Sequence, residues 1–162
     1  MALSTRALKE HIQRLDVLNA NLTFRISRLS KVLEVEGAQR IAGSGINLTG
    51  YRMMMVIGVF GEISVSDLSK LTVIDRAQVS RAATELIDRG LLEARADANS
   101  RRKKLLALTH TGQARLADLN ETFADRQTDI ETMLDQAELE GLTSAIEKIS
   151  AYLDDRLDQA RR

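Results

Sequence analysis

Apolar residues recur every three or four positions over the first part of the chain, which is the spacing of one face of an α-helix. The pattern predicts one long amphipathic helix that ends at about Glu36, before Gly37, Gly43, Ser44 and Gly45 interrupt it. A helix cannot bury such a stripe by itself, so the pattern also predicts a packing partner. The apolar positions are Leu8, Ile12, Leu15, Leu18, Leu22, Ile26, Leu29 and Leu33.

A second helix is predicted over Gly50 to Gly61, with Thr49 as its N-cap. Its apolar residues lie nearly all round the helix, which is typical of a helix at the centre of a core. We therefore interpret the methionines as core residues rather than as a set of ligands. The apolar residues are Met53, Met54, Val56, Ile57 and Phe60.

Two shorter helices follow in the arrangement of a helix-turn-helix motif. Ser64 opens the first of them, and Thr72 to Ile74 form a tight connection. Asp75 caps the second, which runs to Arg89 and is stopped by Gly90.

Two short strands are then predicted over Leu91 to Ala96 and Leu105 to Leu108, with Asp97 to Lys104 as the hairpin loop between them. A last helical region starts at Thr109 and breaks near Asp135. The order of elements predicts a mainly α protein with a small two-stranded β-wing beside a helix-turn-helix.

Composition excludes several classes of protein. The chain of 162 residues is 44% hydrophobic and 28% charged, as expected for a soluble globular protein. Because it contains no Cys, a disulfide framework, a thiolate zinc site and a thiol-based oxidation sensor are excluded. The longest apolar run, Met53 to Phe60, is too short to span a bilayer, and the charged N-terminus is unlike a signal peptide. We therefore expect a cytoplasmic location and no membrane contact.

The net charge of zero hides a strong asymmetry along the chain. Residues 76–104 carry eight cations and four carboxylates, whereas residues 118–162 carry twelve carboxylates and five cations. The basic middle predicts a polyanionic partner for that part alone.

The helix from Asp75 to Arg89 has two distinct sides on a helical wheel. Val79, Ala82, Ala83, Leu86 and Ile87 share the side that we expect to pack inward. The opposite side presents Ala77, Gln78 and Arg81, flanked by Arg76, Ser80 and Thr84. Such side chains suit a reader of the DNA major groove, where Arg bonds guanine, Gln bonds adenine and Ala touches the thymine methyl group. The alternative is a solvated outer face, but the neighbouring motif and basic hairpin favour DNA reading.

The predicted hairpin carries four consecutive cations, Arg101, Arg102, Lys103 and Lys104. A hairpin beside a reading helix can reach phosphates or the minor groove. We expect Arg101 or Arg102 to enter the groove, and Lys103 or Lys104 to meet phosphate or solvent. The alternative is that some of them protect a short edge strand from aggregation.

Nothing in the sequence indicates catalysis. The histidines, His11 and His110, are far apart and lack a neighbouring Cys or carboxylate motif. We expect His11 at or near a helix interface and His110 at the start of the following helix. No catalytic residue, metal site or cofactor is predicted.

The segment from Leu48 to Gly112 resembles the MarR-type (multiple antibiotic resistance regulator) family of winged helix-turn-helix transcription regulators. The resemblance rests on LTGYRMMMVIG, ISVSDLSKL, IDRAQVSRAATELIDRGLL and SRRKKLLALTHTG. It implies a winged helix-turn-helix domain over residues 47–112, flanked by dimerisation helices in residues 1–46 and 113–162 that intertwine between two subunits. It also implies a small molecule bound near the junction of the dimerisation and DNA-binding parts.

The wing departs from the family pattern at one position. Members usually carry an Asp immediately before the tip arginines, paired with a neighbouring Arg, and this chain has Ser100 there. Asp97 would have to substitute for that carboxylate, or Asn99 would have to stabilise the turn through hydrogen bonds.

The leading hypothesis is a ligand-responsive repressor that binds double-stranded DNA as a homodimer at a pseudo-palindromic operator. The alternative is a winged-helix module that binds a protein partner and does not read DNA. An aromatic or anionic effector could meet Arg14, Arg25 or Arg28, although each could equally be a solvated or interface residue.

Overall fold

The computed structural model describes residues 16–97 and 100–160, and gives only the backbone for residues 97, 100–103 and 160. These residues form two units, one ending at Asn120 and the other beginning at Glu121. Residues 16–20 are helical. The further elements are α1 (Leu22–Arg40), α2 (Leu48–Phe60), β1 (Glu62–Ser64), α3 (Val65–Thr72), α4 (Arg76–Asp88), β2 (Leu92–Asp97), β3 (Ser100–Leu108), α5 (His110–Thr132) and α6 (Gln136–Ala160).

Asn21 divides the helix that the sequence predicts as continuous. Its backbone is extended, and its side-chain oxygen accepts a hydrogen bond from the Phe24 backbone N–H at 2.9 Å. Asn is among the strongest N-cap residues, so a new helix begins here and the prediction of one unbroken helix is wrong. The helix α1 then continues to Arg40, beyond the predicted end at Glu36. The predicted apolar positions from Leu8 to Leu15 lie outside the described residues.

The apolar stripe of α1 is exposed to solvent in the single chain. Leu22 is 61% exposed and Leu29 is 56% exposed, which is unusual for leucines spaced along one helix face. The helix therefore presents a continuous apolar surface. Ile26 and Leu33 are exposed on the same side of the helix, and Phe24, Val32 and Val35 are exposed on its other sides.

The helix α2 is central to the core, as predicted, but its N-cap and its last turn differ from the prediction. Asn47, not Thr49, is the cap, and its side-chain oxygen accepts from the Gly50 N–H at 2.8 Å. Met53, Met54 and Ile57 are fully buried, which confirms them as core residues. Phe60, expected in the core, is exposed.

The strands form a three-stranded antiparallel sheet in the order β1-β3-β2, so the sheet has one strand more than the two predicted wing strands. The additional strand, β1, is only three residues long and has no periodicity that a sequence pattern could reveal. The wing strand β3 begins at Ser100, so residues 101–104 belong to a strand rather than to the predicted loop. Lys104 pairs with Ala96, and Ser100 pairs with Asp97 across a change of register.

Capping hydrogen bonds fix both helices of the predicted helix-turn-helix. The Ser64 hydroxyl accepts from the Asp67 backbone N–H at 3.2 Å at the start of α3. The Asp75 carboxylate accepts from the N–H groups of Ala77 and Gln78 at 2.9 and 3.2 Å at the start of α4. Both predicted caps are confirmed.

Thr109 joins the end of the wing to the segment that follows α4. Its hydroxyl donates to the Gly90 carbonyl at 2.7 Å and accepts from the Gly112 N–H at 2.9 Å. Its own N–H donates to the Leu91 carbonyl at 3.1 Å. The first turn of α5 therefore lies directly against the backbone at Leu91, and a Cβ atom at Gly112 would overlap the Leu91 carbonyl oxygen.

Within the second unit, Asp135 and Glu138 form a reciprocal capping box at the start of α6. The Glu138 carboxylate accepts from the Asp135 N–H, and the Asp135 carboxylate accepts from the Glu138 N–H, each at 2.9 Å. The predicted break near Asp135 is confirmed. One side of α6 carries exposed apolar side chains, namely Leu142, Ile146, Ile149, Leu153 and Leu157.

Replacing Gly112 by Ala should destabilise the protein, because the added methyl group meets backbone that cannot turn aside. We expect the free energy of unfolding to fall by about 2–4 kcal/mol, measured by chemical denaturation at fixed protein concentration. Gly141→Ala is the matched control, since nothing lies within 4 Å of a Cβ atom there. It should leave stability unchanged or raise it by up to about 1 kcal/mol. Equal effects of the two substitutions would contradict the close approach at Gly112.

Candidate nucleic-acid interface

The helix α4 has one buried side and one exposed side, as the helical wheel predicts. Val79, Ala82, Ala83 and Leu86 are buried, and Ile87 is half-buried. Every candidate DNA-reading residue on this helix is exposed: Arg76, Ala77, Gln78, Ser80, Arg81 and Thr84. Burial of the apolar side therefore turns the polar side to solvent.

The candidate side chains near the start of α4 are available for contacts. Among the residues that the structure describes, neither Arg76 nor Arg81 forms an ion pair. The Gln78 amide nitrogen donates to the Thr49 hydroxyl at a long distance of 3.5 Å, which leaves the amide oxygen free to accept. Two guanidinium groups and an amide thus lie at one end of an exposed helix face.

The turn before α4 is held by its own hydrogen bonds. The Ser69 hydroxyl donates to the Ile74 carbonyl at 2.6 Å, and the Ile74 N–H donates to the Ser69 carbonyl at 3.2 Å. Val73, between α3 and α4, has a positive φ of 53°. A β-branched residue adopts this left-handed conformation only at a cost in free energy, so the hydrogen bonds at the turn must compensate.

The wing places its basic segment on β3. The backbone of residues 101–104 is strand, and Lys104 is exposed. The side chains of Arg101, Arg102 and Lys103 lie outside the described part, as do the side chains of Asp97, Asn99 and Ser100. Their predicted roles in groove or phosphate contact, and at the wing tip, therefore stay predictions.

Arg95 belongs to the same basic region, but its charge is already paired with carboxylates. Its guanidinium donates to the Glu62 carboxylate at 2.7 Å and also to the Glu93 carboxylate. These two carboxylates, Glu62 first, raise the pKa of Arg95 above its ordinary value. A count of charges along the sequence includes Arg95 among the surplus cations and misses this pairing, since Glu62 is distant in sequence.

Two further arginines hold the loop between α1 and α2. Arg89, the C-cap residue of α4, donates to the Gly45 carbonyl. Arg115, on α5, donates to the Ser44 carbonyl at 2.8 Å. The loop is thus anchored both to the end of the candidate reading helix and to the helix after the wing.

No group of histidines and carboxylates in the described residues could hold a metal ion. His110 is the first residue of α5 and is exposed, in agreement with its predicted position. His11 lies outside the described residues. Within the described ranges, no helix combines the length and the apolar character needed to cross a membrane.

Comparison with known proteins shows which family the middle of the sequence matches and which solved structures share the fold. Residues 44–103 match the model of the MarR family. The chain resembles a MarR/EmrR family transcriptional regulator from Acinetobacter sp. ADP1, with 22% identity and a TM-score of 0.78 over 85% of this chain and 98% of that one. No curated protein matches the sequence.

Two other solved structures share the fold. Bordetella bronchiseptica BpsR, solved to explain regulation of its DNA binding by 6-hydroxynicotinic acid, has 24% identity and a TM-score of 0.72 over 80% of this chain and 93% of that one. A C80S mutant of E. coli MarR complexed with operator DNA has 19% identity and a TM-score of 0.71 over 79% and 92% of the two chains. The winged-helix fold and the resemblance to MarR-type proteins are thereby confirmed.

Proposed function

We propose that this MarR-type winged-helix protein is a sequence-specific DNA-binding transcriptional regulator that acts as a homodimer on a pseudo-palindromic operator. The observation that carries the proposal is the exposed face of α4, where Arg76, Gln78 and Arg81 are available for contacts. The basic segment of residues 101–104 lies on the wing that follows. The proposed DNA-contacting residues are Arg76, Ala77, Gln78, Ser80, Arg81, Thr84, Arg101, Arg102, Lys103 and Lys104.

The proposed DNA contacts have two roles: the side chains of α4 recognise bases, and those of the wing position the protein on the duplex. Arg81 can donate two parallel hydrogen bonds to guanine, and Gln78 can both donate to and accept from adenine. The cations of the wing would neutralise phosphates and so fix the orientation of α4 in the groove. Similarity of fold to a MarR protein complexed with operator DNA supports this assignment.

The exposed apolar stripes support a homodimer. Both α1 and α6 carry leucines and isoleucines that the single chain leaves in solvent. Burying such surface stabilises an assembly by about 25 cal/mol per Å² of apolar area. In the proposed domain arrangement, the flanking regions 1–46 and 113–162 form the dimer and residues 47–112 bind DNA. Two reading helices would then meet half-sites about one turn of duplex apart.

We propose repression as the regulatory outcome, because it is typical of the family. A dimer bound to an operator competes with other proteins for that DNA. The fold comparison with transcriptional regulators supports a regulator rather than an enzyme.

Arg81→Lys tests direct base reading, since it keeps the charge and removes the planar fork that bonds guanine. In a gel shift on DNA from around the protein's own gene, the variant should lose about 1–3 kcal/mol of discrimination between specific and random duplex. Its loss of affinity with rising salt should match that of the wild type, because no phosphate contact has been removed. Lys148→Ala, an exposed cation of α6, is the control and should leave specific binding unchanged. Unchanged discrimination in Arg81→Lys would contradict the assignment of Arg81 to base contact.

A winged-helix module that binds a protein and does not read DNA is the second candidate function. Its acidic terminal region, with twelve carboxylates in residues 118–162, favours it as a surface for a basic partner. The double variant Gln78→Ala, Arg81→Ala discriminates between the two functions. If its DNA occupancy and target expression equal those of the wild type while binding of a protein partner is lost, the module is the correct function.

Ile149→Glu tests the dimer, because a carboxylate at the centre of the α6 stripe would be buried without a partner. We expect the mass in solution, measured by light scattering, to fall from two chains to one. Ala151→Glu is the control, since residue 151 lies nearly opposite residue 149 on the helix. A wild-type monomer, or a dimer that survives Ile149→Glu, would contradict the proposed interface.

We further propose that a small aromatic or anionic molecule regulates the protein. Arg25 and Arg28 lie on the exposed surface of α1 together with Leu22, Phe24 and Leu29. Apolar side chains beside two cations suit an aromatic carboxylate. BpsR, of similar fold, has its DNA binding regulated by 6-hydroxynicotinic acid. Arg14, the third candidate, lies outside the described residues.

A thermal-shift screen with substituted benzoic and nicotinic acids tests the effector site. A ligand at one hundred times its Kd should stabilise the protein by about 2.7 kcal/mol. The double variant Arg25→Met, Arg28→Met should lose that shift, whereas Lys148→Met should retain it. A shift that survives in the double variant would locate the ligand elsewhere, and no shift with any compound would favour a constitutive regulator.

A further inference from the structure

The ion pairs of Arg95 cross the wing sheet from one edge strand to the other. Arg95 and Glu93 lie on β2, and Glu62 lies on β1, while β3 runs between them. The guanidinium donates to Glu62 at 2.7 Å and also to Glu93. We name these three residues the Arg95 bridge.

The register of the sheet explains how one side chain can span it. Ala107 on β3 pairs with Glu62 on one side and with Glu93 on the other. Directly opposed residues point to the same face, so these three side chains form one row across the outer face of the sheet. Leu105 and Arg95 form the next row of that face. The opposite face carries Ile63 and Leu106, which are buried in the core.

Ala107, in the middle of the row, has a side chain small enough for the Arg95 side chain to cross β3 there. It is only 4% exposed although it lies on the outer face, which indicates that other side chains cover it. Since the guanidinium of Arg95 bonds a carboxylate on each side of Ala107, its path crosses the central strand there. A larger residue in the middle of the row would stand between Arg95 and Glu62.

The bridge ties the wing to the helix-turn-helix. Glu62 begins β1, and β1 leads without a loop into α3, the first helix of the motif. Arg95 lies on β2, the first strand of the wing, a few residues before its tip. The three charges sum to one negative charge, so Arg95 is not a surplus cation available to phosphate.

We infer that Arg95 is a positioning residue, which through Glu62 and Glu93 sets the direction of the wing relative to the helix-turn-helix and so brings residues 101–104 onto DNA. This inference rests on the proposed DNA-binding function. The alternative assignment is that Arg95 itself contacts a phosphate. The two assignments predict opposite changes in DNA affinity when the charge of Glu62 is removed.

Glu62→Gln separates the two assignments. Simple electrostatics predicts that removing a carboxylate beside a DNA-binding surface strengthens binding to a polyanion. If the bridge positions the wing, the same variant should weaken specific binding, by about two- to fivefold for an exposed ion pair. Arg95→Met should weaken it to the same extent, and the double variant should be no weaker than either single one. Both variants should also lower the salt slope to the same extent, because each moves the wing cations away from the phosphates. Asp88→Asn removes an exposed carboxylate of α4 that is not part of the bridge, and it should not weaken binding.

Tighter DNA binding by Glu62→Gln, or a salt slope that falls by about one in Arg95→Met but keeps its wild-type value in Glu62→Gln, would make Arg95 a phosphate contact and overturn the inference.

A second readout uses the free protein and does not depend on DNA. Backbone hydrogen exchange over residues 92–108 should be faster in Glu62→Gln than in the wild type, and unchanged in Asp88→Asn. Unchanged exchange together with unchanged DNA affinity would overturn the inference. If the wild type binds no specific DNA, the proposed function fails, while faster exchange in Glu62→Gln would still support the bridge as the element that orients the wing.

Discussion

The packing of α4 against the core is the constraint on which the candidate site depends. Val79 and Leu86 are buried in the same core as Met53 and Met54 of α2. Because an α-helix turns by about 100° per residue, burial of that side leaves no freedom in what the other side presents. The exposed row at the start of the helix, with Gln78 and Arg81, is thus a consequence of apolar burial. The caps at Ser64 and Asp75 then fix where each helix of the motif begins.

Much of the helical fold could be predicted from the chain, because apolar periodicity reports which side of a helix is buried. The buried side of α4 and the core position of α2 follow from it. The errors arise where a short polar signal or a tertiary contact decides the structure. Asn21 interrupts a run whose apolar spacing continues across it, and Asn47 caps a helix that Thr49 could also have capped. Phe60 belongs to the last turn of α2 and is exposed there, although its apolar character alone favours burial.

The sheet was harder to predict than the helices for a physical reason. β1 has three residues, so its existence depends on pairing with β3 rather than on any local preference. Pairing with β2 extends β3 back to Ser100, into a segment whose charges alone resemble a loop. A count of charges along the chain fails for a similar reason, since it does not distinguish a paired cation from an available one. Arg95 is held by carboxylates, and Arg89 by a carbonyl of the α1–α2 loop, so the surplus cations available to DNA are fewer than the sequence count.

We propose that two copies of α4 read DNA from a dimer whose other helices hold them apart. Selection of duplexes from a random library by the full-length protein tests this most directly, because the selected duplexes themselves reveal the operator. We expect an enriched motif of two inverted half-sites with centres about 10 bp apart, or a multiple of that spacing. Recovery of no motif, or of one isolated half-site without symmetry, would contradict it.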